Sequence, residues 1–350
     1  MRIAFFCRDD FNLGVAYLIA YLKSIGHEVK LFIEYEGLVT NERLTKGFDL
    51  YCFSCVTANF SWGLHRANDF PKDNILFGGV HATLCPEEIR REGYKVCVGD
   101  GIEYFGGKFN PDETWADREI FFEQLPPVHR SYQIFMTGFG CPFRCSFCNN
   151  HQLRPKLIRR SVEGCIAELK HLKERGMRYV LFDDDIFTLN PDWLQNFLIL
   201  YQRHILLPFT CFGHARFIND EICKILKESR CQCVWLGLQS GDEGIRNTVL
   251  NRKETNGEVI KACEIIKRSG LKLMIDHIFG IPTDTPITLQ NSYELYKKLK
   301  PDVLNAYELL YFPKAEINKY GHSKALYQRQ GGQDYQRYAK SFQSLPLRYN

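Results

Sequence analysis

Apolar positions recur along this chain in two alternating periods, and that alternation organises the rest of the reading. Arg2–Cys7 is an apolar run of strand length. Val15–Ile25 then carries apolar residues at helical spacing and stops at Gly26, the residue type that most readily closes a helix. Short apolar runs follow at Val29–Ile33, Leu50–Cys55, Ile75–Phe77 and Lys95–Val98. Strands alternating with helices predict a parallel sheet covered on both faces, with ligands at the carboxyl ends of the strands. Those ends carry small residues: Ser54 and Thr57, Gly78-Gly79, and Gly99-Asp100-Gly101. Residues 108–131 hold Pro111, Pro126-Pro127 and mixed charges, and read as a linker.

From Tyr132 a second alternating series begins. Its strands are expected at Tyr132–Thr137, Tyr179–Asp183, Phe209–Gly213, Cys233–Leu238, Leu273–Phe279 and Val303–Leu310. Ser161 is placed to cap a helix bearing Val162, Cys165, Ile166, Leu169 and Leu172 on one face, and Asn190-Pro191 opens another. Six βα units are too few for a closed eight-stranded barrel. The fold class is therefore α/β: a Rossmann-like domain at 1–107, the linker at 108–131, a partial (β/α)6 TIM-barrel core at 132–312, and a polar surface tail at 313–350.

Composition narrows the function classes. The chain is 45% hydrophobic and 25% charged with a net charge of +4, which suits a globular protein and gives no electrostatic footprint for nucleic acid or a membrane surface. Met1 to Asp10 is charged too early for a secretory signal, and no apolar run approaches the ~20 residues that span a bilayer. A cytoplasmic location is expected. In that reducing setting the 14 cysteines are not a disulfide framework. Cys52, Cys97, Cys165, Cys223 and Cys263 sit in apolar elements and read as small core hydrophobes.

Cys141, Cys145 and Cys148 differ, because they form C-x3-C-x2-C directly after a strand end. Thiolates ligate iron–sulfur clusters, and four usually complete a cubane. Three on one short loop leave an open metal position, the usual place for chemistry. Zinc held by these cysteines plus His151 is the alternative, although zinc sites usually show a second, distant pair; chance clustering is the other.

The motif and its surroundings resemble the radical S-adenosylmethionine (SAM) superfamily over about residues 130 to 315. Phe147 fills the family's aromatic slot. Phe182-Asp183-Asp184-Asp185 is similar to the segment closing the second strand, and Arg216 stands where many relatives keep an arginine. Leu236-Gly237-Leu238-Gln239-Ser240-Gly241 is similar to G-x-E-S-G, with Gln239 in place of glutamate, and Gly280-Ile281-Pro282 matches the G-x-P turn. The resemblance implies a 4Fe-4S cluster on the three cysteines, with SAM chelating the open iron. Asp183, Asp184 and Asp185 would receive its ammonium, Arg216 its carboxylate, and the turn at Gly280 its adenine, with Phe147, Gln239, Ser240, Ile281 and Pro282 beside it. A 5′-deoxyadenosyl radical would then abstract hydrogen from the substrate. Tyr307, Glu308 and Tyr311 are candidate substrate residues.

The first domain resembles the cobalamin-binding domain that precedes the barrel in one radical SAM subgroup. The matching residues are Ser54, Thr57, Gly78, Gly79, His81, Gly99, Asp100 and Gly101. Asp9-Asp10-Phe11-Asn12-Leu13-Gly14 has the frame of D-x-H-x-x-G with Phe11 in the histidine slot. Cys7, Cys55 and Cys85 also invite comparison with methylthiotransferases, which carry three further cluster cysteines. The expectation is a cobalamin-dependent methylase of a small molecule or peptide, served by an electron donor such as flavodoxin or ferredoxin. The alternatives are a cyclisation, rearrangement or oxidation enzyme and a non-catalytic cluster protein.

Overall fold

The computed structural model describes residues 1–8, 11–34 and 45–321, and a strand at Leu347–Tyr349. It divides into two compact units, Met1–Ser131 and Tyr132–Asn350. Among the described residues no helix is long and apolar enough to cross a membrane.

The first unit is a five-stranded parallel sheet: β1 Arg2–Arg8, β2 Glu28–Glu34, β3 Leu50–Ser54, β4 Ile75–Gly78 and β5 Lys95–Val96, in the order β2-β1-β3-β4-β5. Side-chain alternation along β1 divides its residues between two cores. Ile3, Phe5 and Cys7 pack with Val15, Ala16, Ile19 and Leu22 of the helix Leu13–Ser24. Ala4 and Phe6 face the other way, among Phe53, Phe60, Phe70 and Phe77. Burial on both faces explains why these strands are continuous apolar runs. Each fully buried phenylalanine contributes about 1.5–3 kcal/mol. The strand order reverses between β1 and β3, the switch point where open α/β sheets place their ligand crevice.

Residues 108–131 do not behave as the expected linker. Phe121 and Leu125 are buried in the β1 core, Ile120 packs against it, and a short helix spans Glu119–Phe122. The Gln124 amide donates to Leu31 O at 2.9 Å and accepts from Ile33 N–H at 3.1 Å, which satisfies part of the open edge of β2. Three apolar side chains and one glutamine did this within a Pro- and charge-rich stretch that carries no periodic signal.

The second unit contains seven parallel strands in chain order. These are β6 Tyr132–Phe135, β9 Tyr179–Phe182, β10 Phe209–Gly213, β11 Cys231–Gln239, β12 Lys272–Phe279, β13 Val303–Glu308 and β14 Leu347–Tyr349. Two short antiparallel strands, β7 Gly138–Phe139 and β8 Ile158–Arg159, bracket the cysteine loop. The sheet curls into a half-barrel with β6 and β14 at its edges. Phe135, Phe182, Cys211, Val234, Ile275 and Leu304 point outward into the core shared with the helices. Alternation turns Tyr179, Phe212, Trp235, Asp276, Asn305 and Tyr307 to the concave side. The expected caps form: Ser161 accepts from Gly164 N–H at 3.0 Å, and Asn190 from Trp193 N–H at 3.1 Å.

The tail departs from expectation. Leu347–Tyr349 pairs with Leu304–Ala306 as a seventh strand, which covers the edge β13 would otherwise expose. Residues 322–346, and Asp9 and Asp10 of the D-x-H-x-x-G frame, lie outside the described residues.

Candidate functional site

The cysteine loop runs from β7 to the short helix Asn150–Leu153 and is tied down by its backbone and polar side chains. Ser146 donates its N–H to Leu250 O at 3.0 Å and its hydroxyl to Val249 O at 2.6 Å, while its carbonyl accepts from Ile317 N–H at 2.8 Å. Asn149 Nδ2 donates to Pro313 O at 2.8 Å. Within the loop, Cys148 N–H donates to Cys145 O at 3.0 Å, and Asn150 N–H points at Cys148 Sγ at 3.4 Å. Phe147 packs with Ile281, Ile245 and Leu250. The cysteine motif and the Gly280-Ile281-Pro282 turn are thus joined by one apolar cluster.

Burial pushes the Cys141 thiol up to about 11 and raises Cys145 and Cys148 as well. On Cys145 the charge and a hydrogen bond from Arg252 oppose that rise. Among the described residues, only His81, Cys85 and Glu88 bring three such ligand atoms within 4.8 Å of one another.

The three aspartates closing β9 divide into different roles. Asp184 is 2% exposed, and its carboxylate accepts from Thr137 N–H (2.6 Å), Thr137 Oγ1 (2.6 Å) and Arg159 (2.8 Å). It fastens β8 and the end of β6. Asp183 is raised to about 6 by burial and by the neighbouring carboxylates of Asp184 and Asp185, with Arg154 opposing. Asp185 accepts from Asn150, leaves Oδ2 buried without a hydrogen-bond partner, and lies close enough to Cys141 and Cys148 to raise both thiols.

Arg216 is engaged by other partners. Its guanidinium donates to Glu258 at 3.1 Å and to the carbonyl of Lys253, in a half-exposed ion pair at the start of the helix Asn256–Arg268. Arg252 stands at the cysteines instead. It lies close enough to Cys145 to oppose the rise of that thiol, donates to Glu254 Oε1 at 3.1 and 2.5 Å, and its charge opposes the rise of the Asp276 carboxyl. Glu254 in turn lies 3.0 Å from His214 Nε2, and His214 stacks on Phe143 of the cysteine loop at 4.4 Å. Burial works against ionisation of Glu254, yet the His214 hydrogen bond and the Arg252 charge hold its carboxyl well below the usual range. His214, Arg252 and Glu254 belong to a small cavity with Gly213, Gly237 and Leu238.

Gln239 ends β11 at φ 69°, past a register shift against β12. Ser240 is buried and occupied: its hydroxyl accepts from Asp242 N–H at 3.2 Å and its carbonyl from Arg246 at 2.9 Å. Gly280 adopts φ 80°, the left-handed region that favours glycine. Ile281 and Pro282 are buried behind it. On the concave side, Asp276 Oδ1 accepts from Trp235 Nε1 at 2.6 Å and Asn305 Nδ2 at 3.0 Å, and burial raises its carboxyl to about 6. Trp235 stacks on Phe212 at 4.6 Å. Tyr307 is half-buried beside this group, Glu308 is exposed at the end of β13, and Tyr311 packs with Phe147 and Ile281.

In the first unit, Ser54 and Asn12 meet across the switch point, with Asn12 Nδ2 3.4 Å from Ser54 Oγ. Gly79 has φ 90°, and a Cβ there would meet Cys55 O at 2.9 Å. Gly99 has φ 83° with open space where a Cβ would stand. Asp100 caps the short helix Gly101–Tyr104 through Ile102 N–H at 2.7 Å, and Gly101 lets that helix approach Leu18. Thr57 and His81 face each other at 3.3 Å, with His81 buried against Phe60. Phe11 packs edge-on against Phe121 at 5.0 Å, so the histidine slot of the D-x-H-x-x-G frame holds a core aromatic. Cys7 and Cys55 are buried and Cys85 groups with His81 and Glu88, an arrangement unlike a second three-cysteine cluster site.

Comparison with known proteins follows the same division. Residues 135–296 match the Radical SAM superfamily. That stretch of the chain is a radical SAM domain. The chain is 30% identical over 174 residues to Uncharacterized methyltransferase PH0819 of Pyrococcus horikoshii, covering 49% of this chain and 38% of the relative. Hopanoid C-2 methylase of Rhodopseudomonas palustris is 24% identical over 277 residues, 67% of this chain and 52% of that one. The chain thus spans about half the length, or less, of these curated relatives. Among solved structures, the radical SAM methyltransferase TsrM from Kitasatospora setae, with cobalamin and a [4Fe-4S] cluster bound, superposes with a TM-score of 0.74 at 14% identity. That match covers 90% of this chain and 73% of that one. At this identity the likeness is one of fold.

Proposed function

We propose that the chain is a cobalamin-dependent radical SAM enzyme that methylates a small molecule or peptide. The carrying observation is three thiols, Cys141, Cys145 and Cys148, on one tied-down loop, with Asn150 joining it to β9: its N–H points at Cys148 Sγ at 3.4 Å and its amide bonds Asp185, whose Oδ2 is buried without a hydrogen-bond partner. The residues fit a 4Fe-4S cluster with SAM on its open iron: three thiols on one loop, a guanidinium for the methionine carboxylate, and two inward carboxyls, Asp183 and Asp185, for its ammonium. Bound there, the cluster would supply the electron that cleaves the sulfonium of SAM and yields the 5′-deoxyadenosyl radical.

The chain's own residues do the positioning. Arg252, fixed by Glu254, presents charge-assisted donors to a carboxylate. Gln239 and the unbonded oxygen of Asp276 offer polar contacts for the nucleoside, and Gly280 permits close backbone approach. The concave face formed by Phe212, Trp235 and Tyr307 suits a flat, largely apolar substrate group. An electron donor such as flavodoxin or ferredoxin would reduce the cluster.

For cobalamin, Ser54, Gly78, Gly79 and Gly99 line strand ends beside the switch point, where a side chain at Gly99 would fill space that is open. Phe11 in the histidine slot leaves the corrin without a histidine ligand from that loop. The test is anaerobic incubation of reconstituted protein with SAM, reductant and candidate substrates. Methylated product with S-adenosylhomocysteine supports the proposal. Deoxyadenosine without methylation favours a cyclisation, rearrangement or oxidation reaction, and neither product favours a non-catalytic cluster protein.

A further inference from the structure

The first unit holds a second set of metal-ligand atoms that the radical chemistry does not use. The imidazole of His81, the thiol of Cys85 and the carboxylate of Glu88 lie with their ligand atoms within 4.8 Å of one another. Local sequence brings them together. The helix Gly79–Leu84 ends at Cys85, whose N–H donates to His81 O at 2.8 Å, and Pro86 immediately opens the helix Pro86–Arg91. His81 and Cys85 are therefore one turn apart at i,i+4, and Glu88 follows Cys85 at i+3, spacings at which helical side chains meet.

His81 carries the case. The residue is 3% exposed and its ring stacks on Phe60 at 3.9 Å. Nδ1 lies 3.3 Å from Thr57 Oγ1, while Nε2 has no hydrogen-bond partner and sits 3.5 Å from Glu88 Oε2. The neutral imidazole, with one ring nitrogen free to accept, is the form that ligates metals. A buried ring nitrogen left unsatisfied costs about 1–3 kcal/mol. A bound cation would remove that cost. Thr57 fixes the ring from behind, the arrangement that sets tautomer and orientation in metal-bound histidines.

We infer that His81, Cys85 and Glu88 form a binding site for a zinc-class divalent cation, with a fourth position open to water. The mixed nitrogen, sulfur and oxygen set suits zinc and excludes magnesium or calcium, which take oxygen ligands. As the metal–sulfur bond forms, the Cys85 thiol releases its proton to solvent. Thiolate and carboxylate then balance the two positive charges. Part-exposed Cys85 and exposed Glu88 give the ion its way in. The ion would pin together the two helices that follow β4, next to Gly78-Gly79.

The test uses the full chain with its iron–sulfur cluster reconstituted, equilibrated anaerobically with zinc and desalted. One zinc per chain is expected in addition to iron. Cys85→Ser should lose the zinc with iron content unchanged, and cobalt in place of zinc should give a sulfur-to-metal charge-transfer band that this variant lacks. Glu88→Gln, at an exposed position that leaves the fold untouched, should weaken binding about tenfold, and Thr57→Val by about 10–100-fold. The inference is overturned if the parent retains no zinc, if Cys85→Ser retains it, or if zinc disappears only when Cys141, Cys145 and Cys148 are replaced.

Discussion

Arg252 donates twice to a single oxygen of Glu254, at 3.1 and 2.5 Å, and lies close enough to Cys145 for its charge to oppose the rise that burial imposes on that thiol. The pair joins the helix-capping segment before Thr255 to the cysteine loop. We therefore propose Arg252, and not Arg216, as the arginine of the SAM site. Arg252→Ala should raise the KM for SAM by about 10–100-fold, the scale of a lost hydrogen bond to a charged group. Arg216→Ala, which breaks only a half-exposed pair with Glu258, should change it by less than about threefold. Equal losses in both variants would restore Arg216 to the site.

Glu254→Gln tests the same relationship from the other side. The substitution keeps the shape and removes the charge that orients Arg252. Iron content should be unchanged while the KM for SAM rises about tenfold. Glu254→Asp should recover part of the loss. A variant that forms no cluster would mean that Glu254 serves the fold instead.

Asp184 is predicted to matter for stability more than for binding. Its removal leaves the buried N–H and hydroxyl of Thr137 without their acceptor and takes the carboxylate partner from Arg159. Asp184→Ala should cost about 3 kcal/mol in denaturant unfolding. Asp183→Asn should leave stability close to the parent's and weaken SAM binding. The reverse pattern would exchange their roles.

Asp284 supplies a pH signature. Burial raises its carboxyl to about 7, Asp242 adds to the rise, and the Thr288 hydroxyl opposes it. In the unfolded chain the group titrates near 4. Between those values the folded chain holds a proton that the unfolded chain has lost, so stability falls as pH rises from about 4 to about 7 and stays lowered above. Asp284→Asn abolishes that loss. Its stability gain over the parent, measured by denaturant unfolding, should be large at about pH 8 and small at about pH 5. An equal gain at both would show that Asp284 does not titrate in this way.

Much of the architecture was legible because strand and helix periods are strong local signals. Phe209–Gly213 was placed to the residue, and Ser161 and Asn190 cap as their sequences require. Gln124 and Phe121 were not legible, since packing onto β2 depends on contacts about 90 residues away. The cysteine loop could be read because all its ligands lie within eight residues. Arg252 could not, because it belongs to no periodic element and its partners, Cys145 and His214 through Glu254, come from distant segments. Arg216 and Asp184 carried the expected chemistry in sequence, but Glu258 and Thr137 had already engaged them in the folded chain. The β14 strand, at Leu347–Tyr349, depended on long-range pairing with β13.

The central claim is that Cys141, Cys145 and Cys148 hold a cluster on whose open iron SAM binds. Electron paramagnetic resonance of the anaerobically reduced protein tests it most directly. The account predicts a cluster signal whose g-values shift when SAM is added, a shift strongly weakened in Arg252→Ala, and no signal in Cys145→Ala. A signal that ignores SAM, or one that survives Cys145→Ala, would contradict it.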